Sequence, residues 1–204
     1  MSKSLGLYDE CASKLGDNPD SKDSIFNAIV DLFNYLPVAA IVKDSILCVH
    51  SGISDGATID SINSIKKPYS PETNKVIADI LWSQPSVYKE DYTVNNYSTQ
   101  FRKLNFSADS LNKFLGDNKL SMLVRTKDWC NAGFDRQFNG KVTTIFTATN
   151  YCGTQGNDGS VLYVKRNLEM QPKLMTSDEN SSTWGTKKES LALYPSSPKK
   201  TVKS

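Results

Sequence analysis

Two patterns of apolar residues along the chain predict a mixed domain of helices and strands. Apolar residues recur at intervals of three and four, which is typical of amphipathic helices, over residues 23–36, 57–65, 72–81 and 107–115. The first of these helices has a polar cap at Asp23 or Ser24, and Pro37 stops it because proline cannot continue the hydrogen-bond ladder. We therefore expect four helices.

Short apolar runs, rich in β-branched residues, predict strands over residues 38–42, 46–49, 120–124, 142–148 and 160–164. Only three residues separate the first two runs, so they predict a tight β-hairpin. A Gly-Asn-Asp-Gly turn at 156–159 precedes the last strand. Helices and strands mixed in this way predict an α/β (α+β) domain.

Two polar segments lack this patterning. Residues 85–103 are rich in Tyr, Ser and Asn and predict a surface loop. From residue 176 onward Ser, Thr, Lys, Asn and Pro dominate, which is the composition of a disordered tail. We therefore divide the chain into a domain at 1–175 and a basic, disordered Ser/Lys/Pro-rich tail at 176–204.

Composition narrows the class of protein. The 204 residues suit one domain, and a net charge of +2 gives no argument for nucleic acid. The four cysteines have neither zinc-ribbon nor disulfide-framework spacing, so reduced thiols in an intracellular protein, of the cytoplasm or the nucleus, are expected. No apolar run has the length of a signal peptide or a membrane span, so a membrane partner is not expected either.

His50 is the single histidine, and it follows the buried run at 46–49 directly. A histidine at the end of a strand, aimed into a loop, suits a metal ligand or an acid/base group. A histidine whose ring is bonded to a backbone carbonyl is the plainer alternative. The position alone leaves both readings open.

Four ordered motifs resemble one enzyme family. Residues 37–40 read Pro-Val-Ala-Ala, 48–54 read Cys-Val-His-Ser-Gly-Ile-Ser, 81–85 read Leu-Trp-Ser-Gln-Pro and 147–153 read Thr-Ala-Thr-Asn-Tyr-Cys-Gly. They resemble Leu-Pro-x-Ala-Ala, Cys-His-Gly-Gly-Leu-Ser, Leu-Leu-Trp-Ser-Asp-Pro and Ser-Ala-Pro-Asn-Tyr-Cys-Gly of the metal-dependent serine/threonine protein phosphatases of the PPP family, closest to the type 1 group. The resemblance runs from Gly6 to Met175.

The resemblance implies a metallophosphatase-like β-sandwich flanked by helices. It also implies two divalent metal ions (manganese, iron or zinc) that activate a water molecule for attack on phosphoserine or phosphothreonine. The family's Gly-Asp-x-His, Gly-Asp-x-Val-Asp-Arg and Gly-Asn-His-Glu motifs do not occur in this sequence. The expectation is therefore a domain truncated at its N-terminal half. The apolar faces and edges of its central strands would then be exposed, unless the strands rearrange into a smaller α/β domain or a partner covers them.

Carried over residue by residue, the family's metal site is degenerate here. His50 matches one histidine ligand and is expected to be vestigial, while Lys127 stands where the family has its other second-half histidine. Lysine carries a positive charge and offers no lone pair to a metal ion. Asp128, shifted by one position, is a conceivable replacement.

The substrate pocket is partly degenerate as well. Gln84 replaces an aspartate, and Gln100 replaces a phosphate-clamping arginine, with Arg102 nearby but out of register. Arg125 and Tyr151 match family residues of the phosphate pocket. Few ligands remain for a dinuclear centre, so no catalytic residue is predicted, and the metals are expected to be absent or incompletely bound.

The principal hypothesis is a serine/threonine phosphatase-like protein that is catalytically inactive and acts by binding phosphatase regulatory subunits or phosphoprotein substrates. The alternative is a fragment of an active, or a divergent but active, PPP-type phosphatase. A decaying duplicate without a selected function is a third possibility. Whether the chain is an enzyme is thus left open by the sequence.

Overall fold

A computed structural model describes residue 3 and residues 6–53, 56–86 and 105–176; the predicted loop at 85–103 and the predicted tail lie almost wholly outside this part. Within it the strands are β1 (Ala39–Val42), β2 (Ile46–Val49), β3 (Gln84–Pro85), β4 (Asn105–Phe106), β5 (Met122–Arg125), β6 (Phe134–Gln137), β7 (Val142–Ile145), β8 (Gly159–Val164) and β9 (Met170–Met175). The α-helices are α1 (Leu7–Leu15), α2 (Ile25–Phe33), α3 (Ile59–Asn63), α4 (Lys75–Trp82) and α5 (Ala108–Asp117).

Five strands form one mixed sheet in the order β1-β2-β5-β7-β6. The three central strands, β2, β5 and β7, are parallel, and the two edge strands run antiparallel to their neighbours. Strands β8 and β9 form a separate antiparallel hairpin, and β3 pairs with β4 in a short parallel ladder. Because the central strands are parallel, their carboxyl ends meet at one edge of the sheet.

The main core lies between the central strands and helices α4 and α5. Leu47 and Leu123 from the sheet, Ile80 from α4 and Leu111 from α5 are essentially inaccessible to solvent. Phe106 joins them directly before α5. This layer holds the central strands in place and so fixes the residues that follow them.

The predicted helices are present, with bounds that differ by a few residues. Ser24 caps α2 by accepting a hydrogen bond from the backbone of Asn27, as expected. The helix ends at Phe33 rather than at residue 36, so Pro37 lies beyond its end. Ser107 caps α5 in a reciprocal capping box with Ser110.

The predicted hairpin is also confirmed, since β1 pairs with β2 in antiparallel register from Ala39 opposite Val49. Sequence patterning does not predict α1, β6 or β9. These three elements are present in the structure because they pack on or pair with neighbouring elements. Among the described residues, none of the helices has both the length and the apolar character that crossing a bilayer requires.

Helix α2 and edge strand β1 expose large apolar side chains. Leu32 is 56% exposed, and Phe33, Leu36 and Ile41 each expose more than two fifths of their surface. Tyr69 attaches the end of this region to the body by donating its hydroxyl to the carbonyl of Leu36 at 2.6 Å. The exposed apolar side chains thus lie on and after α2 and on the edge strand β1, whereas the residues of the central strands β2, β5 and β7 are buried or half-buried.

Candidate functional site

The parallel strands bring His50, Arg125 and Thr144 to one edge of the sheet. Val49 lies opposite Arg125 in the β2–β5 ladder, and Arg125 lies opposite Thr144 in the β5–β7 ladder. His50 follows β2, and its carbonyl accepts a hydrogen bond from the backbone of Thr126 at 3.1 Å. The sheet register therefore sets the histidine loop beside the segment that follows β5.

Arg125 is the buried charge of this site, with 3% of its surface exposed. Its Nε donates to the carbonyl of Ser51 at 2.5 Å, and its Nη1 donates to Thr144 Oγ1 at 3.3 Å. Its Nη2 donates to Asp128 Oδ2 at 2.6 Å in an ion pair. Each nitrogen of the guanidinium thus has an acceptor within the protein.

Asp128 is held by two neighbours. One oxygen pairs with Arg125, and the other accepts a hydrogen bond from Gln84 Nε2 at 2.9 Å. An aspartate at the position of Gln84, as the phosphatase motif has it, would place a second negative charge beside Asp128. The amide of Gln84 instead donates, so the two residues fit each other.

Lys127 is fixed above the end of helix α4. Its ammonium donates to the carbonyl of Trp82 at 3.1 Å and lies 4.9 Å from the centre of the Trp82 ring. Its backbone has a φ of 85°, in the left-handed region that non-glycine residues seldom adopt. The hydrogen bond and the ring contact together hold the cation at Trp82.

His50 is exposed to solvent, and its pKa is lowered from the ordinary histidine value. Partial loss of hydration near the protein surface is the largest cause, followed by the positive charges of Lys127 and Arg125. Asp128 opposes these effects but does not cancel them. At neutral pH the imidazole is therefore uncharged and faces a predominantly positive neighbourhood.

The residues present do not fit a dinuclear metal centre. Within the described ranges, no three or more His, Cys, Asp or Glu side chains are grouped closely enough to hold a metal ion. A divalent ion beside His50 would meet the charge of Lys127, while Asp128 already uses both oxygens in pairing with Arg125 and Gln84. Divalent sites need about three protein ligands.

Tyr151 contacts the rest of the protein through its ring and its backbone. Tyr151 is 44% exposed, and its ring packs edge-on against Phe146 with 5.1 Å between the ring centres. Its backbone N–H donates to Asn157 Oδ1 at 2.8 Å. Gln100, like Arg102, lies outside the described residues. The phosphate-pocket roles of Arg125 and Tyr151 stay predictions.

Sequence reasoning missed the two contacts that organise the site, namely the Arg125–Asp128 ion pair and the placement of Lys127 on Trp82. A three-residue spacing predicts a side-chain contact only within a helix, and Arg125 ends strand β5, so the spacing gave no signal for the first contact. Nothing in the sequence indicated the second, because Trp82 and Lys127 are far apart in the chain and meet only through the fold.

Comparison with known proteins places this geometry in a family. The family model described as calcineurin-like phosphoesterase matches residues 7–126. The chain is 33% identical over 178 residues to serine/threonine-protein phosphatase BSL2 of Arabidopsis thaliana, covering 84% of this chain and 17% of the relative. It is 33% identical over 168 residues to the serine/threonine-protein phosphatase 6 catalytic subunit of Caenorhabditis elegans, covering 82% of this chain and 48% of the relative.

The architecture agrees with a solved relative. A protein serine/threonine phosphatase from Saccharomyces cerevisiae, described as similar to human phosphatase PP5, superposes with a TM-score of 0.67 and 25% sequence identity. The match covers 87% of this chain and 57% of that structure. The metallophosphatase fold expected from the sequence is confirmed. The chain spans less than half of the length of the two curated relatives above.

Proposed function

The chain belongs to the calcineurin-like phosphoesterase family, among relatives that are serine/threonine phosphatases, and from that premise we propose that it is a non-hydrolytic member that acts by binding a protein. The observation that carries this proposal is the position of Lys127. Its ammonium occupies the neighbourhood of His50, where the resemblance calls for a second histidine ligand. A fixed positive charge disfavours a divalent cation at that place.

The state of Arg125 supports the same proposal. A guanidinium that clamps a transferring phosphoryl group needs donors directed to the substrate. Arg125 is buried, neutralised by Asp128 and bonded through each of its nitrogens to protein acceptors. Its contacts suit a structural residue that ties β5 to its neighbours.

The binding part of the proposal rests on surface chemistry. Helix α2 and strand β1 expose Leu32, Phe33 and Ile41. Exposed apolar patches of this kind are typical of protein interaction sites. A phosphatase regulatory subunit or a phosphoprotein is the class of partner we propose, in the cytoplasm or nucleus.

The test is the metal content of the purified full chain together with turnover of p-nitrophenyl phosphate in added manganese. We expect far less than one metal ion per chain, and turnover no faster than without protein. The variant Lys127→His removes the charge and supplies a second imidazole, so it should bind manganese more tightly than the unmodified chain while still failing to turn over. The matched control Lys66→His changes an exposed lysine and should leave both manganese binding and turnover unaltered.

The opposite result is equally clear. About two metal ions per folded chain, with turnover that His50→Ala abolishes, would overturn the proposal and favour the alternative of an active phosphatase. Folding is checked by circular dichroism on the same sample.

A further inference from the structure

Four basic residues lie at the edge of the sheet opposite the candidate site, where the central strands begin. They come from four different turns, which precede β2, β5 and β7 and connect β8 to β9: Lys43, Lys119, Lys141 and Arg166. All four residues are exposed to solvent. We call these four residues the basic edge. The candidate site lies at the other ends of the same strands.

Hydrogen bonds hold the four turns side by side. The Nζ of Lys43 donates to the carbonyl of Arg166 at 2.6 Å. The backbone N–H of Ser121 donates to the carbonyl of Ser45 at 2.8 Å, and the two serine hydroxyls are also 2.8 Å apart. The Nζ of Lys141 donates to the carbonyl of Ser121 at 3.1 Å. The basic edge is therefore one connected surface, although its residues are far apart in the sequence.

The positive charge of the basic edge is largely unbalanced. Within the part of the chain that the structure describes, none of its four cations forms an ion pair. Lys165, the neighbour of Arg166, differs because Glu169 pairs with it at 2.9 Å. Asp44 follows Lys43 in the same turn and offsets one of the four charges. An excess of positive charge remains for a ligand to neutralise.

The two lysines that bond to carbonyls keep donors for a ligand. An ammonium group has three N–H donors, and Lys43 and Lys141 each direct one of them to a backbone carbonyl. The other two donors of each lysine have no acceptor among the described residues. A side chain that is already held by one hydrogen bond loses less freedom when it binds a ligand. These two cations are therefore partly ordered in advance of binding.

The backbone gives a second, independent observation. Lys43, Asp44 and Lys119 have φ values of 49°, 51° and 57°, in the left-handed region. Glycine or asparagine is the usual residue in turns of this kind, because a longer side chain is strained there. Strained positions concentrate at functional sites. A lysine in each of two such turns points to a role for its charge, since the turn itself would favour a different residue.

We propose that the basic edge binds an acidic segment, rich in Asp and Glu, of a partner protein. The inference rests on the proposed function only in that the ligand is a protein. Carboxylates accept hydrogen bonds from Lys43 and Lys141 and neutralise Lys119 and Arg166. Strand β1 ends at Val42, directly before Lys43, so one partner can cover both the exposed apolar strand and the basic edge.

The same turns do not suit a nucleic acid. Residues 43–45, 119–121 and 165–168 contain no aromatic side chain on which a base could stack. A run of carboxylates needs only cations and N–H donors, and the basic edge offers both. An acidic protein segment is therefore the ligand that its chemistry fits.

The probe is a fluorescein-labelled hexaglutamate peptide, titrated into the purified full chain at low ionic strength and followed by fluorescence anisotropy. Labelled hexaglutamine is the uncharged comparison. We expect saturable binding of hexaglutamate alone, and added salt should weaken it. Lys43→Gln, Lys119→Gln and Lys141→Gln should each weaken binding about threefold, and the triple variant at least about tenfold, because each removes one exposed ionic contact.

The matched control removes the same charge elsewhere. The triple variant Lys187→Gln, Lys188→Gln and Lys199→Gln changes three lysines near the end of the chain and should bind hexaglutamate as the unmodified chain does. Equal weakening in the two triple variants would mean that net charge, and not the basic edge, governs binding.

Two further variants separate charge from structure. Asp44→Asn removes the opposing carboxylate and should tighten binding about twofold. Lys119→Gly removes the charge together with the backbone strain, so it should weaken binding about threefold without lowering the midpoint of urea unfolding. Unchanged binding in Lys119→Gly would contradict the role of that lysine.

Three other results would overturn the proposal: no saturation with folded protein, equal binding of hexaglutamine, or tighter binding of an oligothymidylate of equal charge. The last result would identify a site for nucleic acid. Such a failure leaves the proposed function untouched, because its metal and turnover measurements depend on His50 and Lys127 at the opposite edge of the sheet.

Discussion

At the scale of single residues, the site is defined by how its charges are satisfied. Lys127 is held by the carbonyl and ring of Trp82, and Arg125 is held by Asp128. Gln84 Nε2 donates a hydrogen bond to the carboxylate oxygen of Asp128 that does not pair with Arg125. Two of the substituted positions therefore make specific contacts in the structure, Lys127 with Trp82 and Gln84 with Asp128.

The first prediction concerns the charge that Lys127 places near His50. Lys127→Met keeps the length of the side chain but removes the charge, so the pKa of His50 should rise toward its ordinary value. The measurement is an NMR titration of the single histidine ring. Lys66→Met, which removes an exposed lysine that does not shift the histidine, is the control; equal midpoints in both variants would contradict the placement of Lys127.

The second prediction concerns the ion pair of Arg125. Asp128→Asn leaves a buried guanidinium without its counterion and should lower the free energy of unfolding by about 2 kcal/mol, less than for a fully buried pair because Asp128 is partly exposed. Urea unfolding measures the change. Asp135→Asn removes an exposed carboxylate of the same neighbourhood and should change stability by less than about 0.5 kcal/mol; a loss as large as that of Asp128→Asn would argue against the special role of the pair.

At the scale of elements, patterning located the central strands well and the edge of the sheet poorly. Strands β5 and β7 have apolar or β-branched residues at nearly every position, as buried parallel strands do. Strand β6 includes Asp135 and Arg136, both exposed, and its sequence has no apolar alternation. Residues 134–137 form a strand because they pair with β7, and their own sequence does not predict that pairing.

Gly133, directly before β6, packs closely against the start of β8. Its φ is +72°, and a Cβ atom there would lie 2.5 Å from the carbonyl carbon of Gly159 at the start of β8. Gly133→Ala should therefore lower the free energy of unfolding by about 3 kcal/mol, from steric overlap and backbone strain together.

The matched control for that third prediction is Gly140→Ala. Gly140 has a similar φ of +82°, but nothing lies within 4 Å of its Cβ position. Backbone strain alone should cost about 1 kcal/mol there. Equal losses in the two alanine variants, measured by thermal or urea unfolding, would show that the close approach of Gly133 to Gly159 does not exist.

At the scale of the whole molecule, apolar surface is the feature that needs a partner. Among the described strands, β1 pairs on one side only and has no charged residue in it, and Ile41 is 41% exposed. Open apolar edges favour association with another strand. The molecule therefore exposes apolar surface that association with another molecule would bury.

The fourth prediction follows from that edge. Ile41→Lys places a charge on β1 and should reduce concentration-dependent association, measured by sedimentation velocity, with little loss of stability because the side chain is already exposed. Asn112→Lys introduces the same charge on exposed α5 and should leave association unchanged. A reduction of the same size in both variants would mean that net charge, rather than the edge, governs association.

The sequence by itself determined the family, the β1–β2 hairpin, the buried strands and the identity of the changed site residues, because ordered motifs and buried strands are local patterns. The tertiary structure decided what those changes mean. Lys127 meets Trp82, and Arg125 meets Ser51, Thr144 and Asp128, only once β2, β5 and β7 lie side by side. The burial of Arg125 and the pairing of its charge depend on that packing, which no stretch of sequence encodes alone.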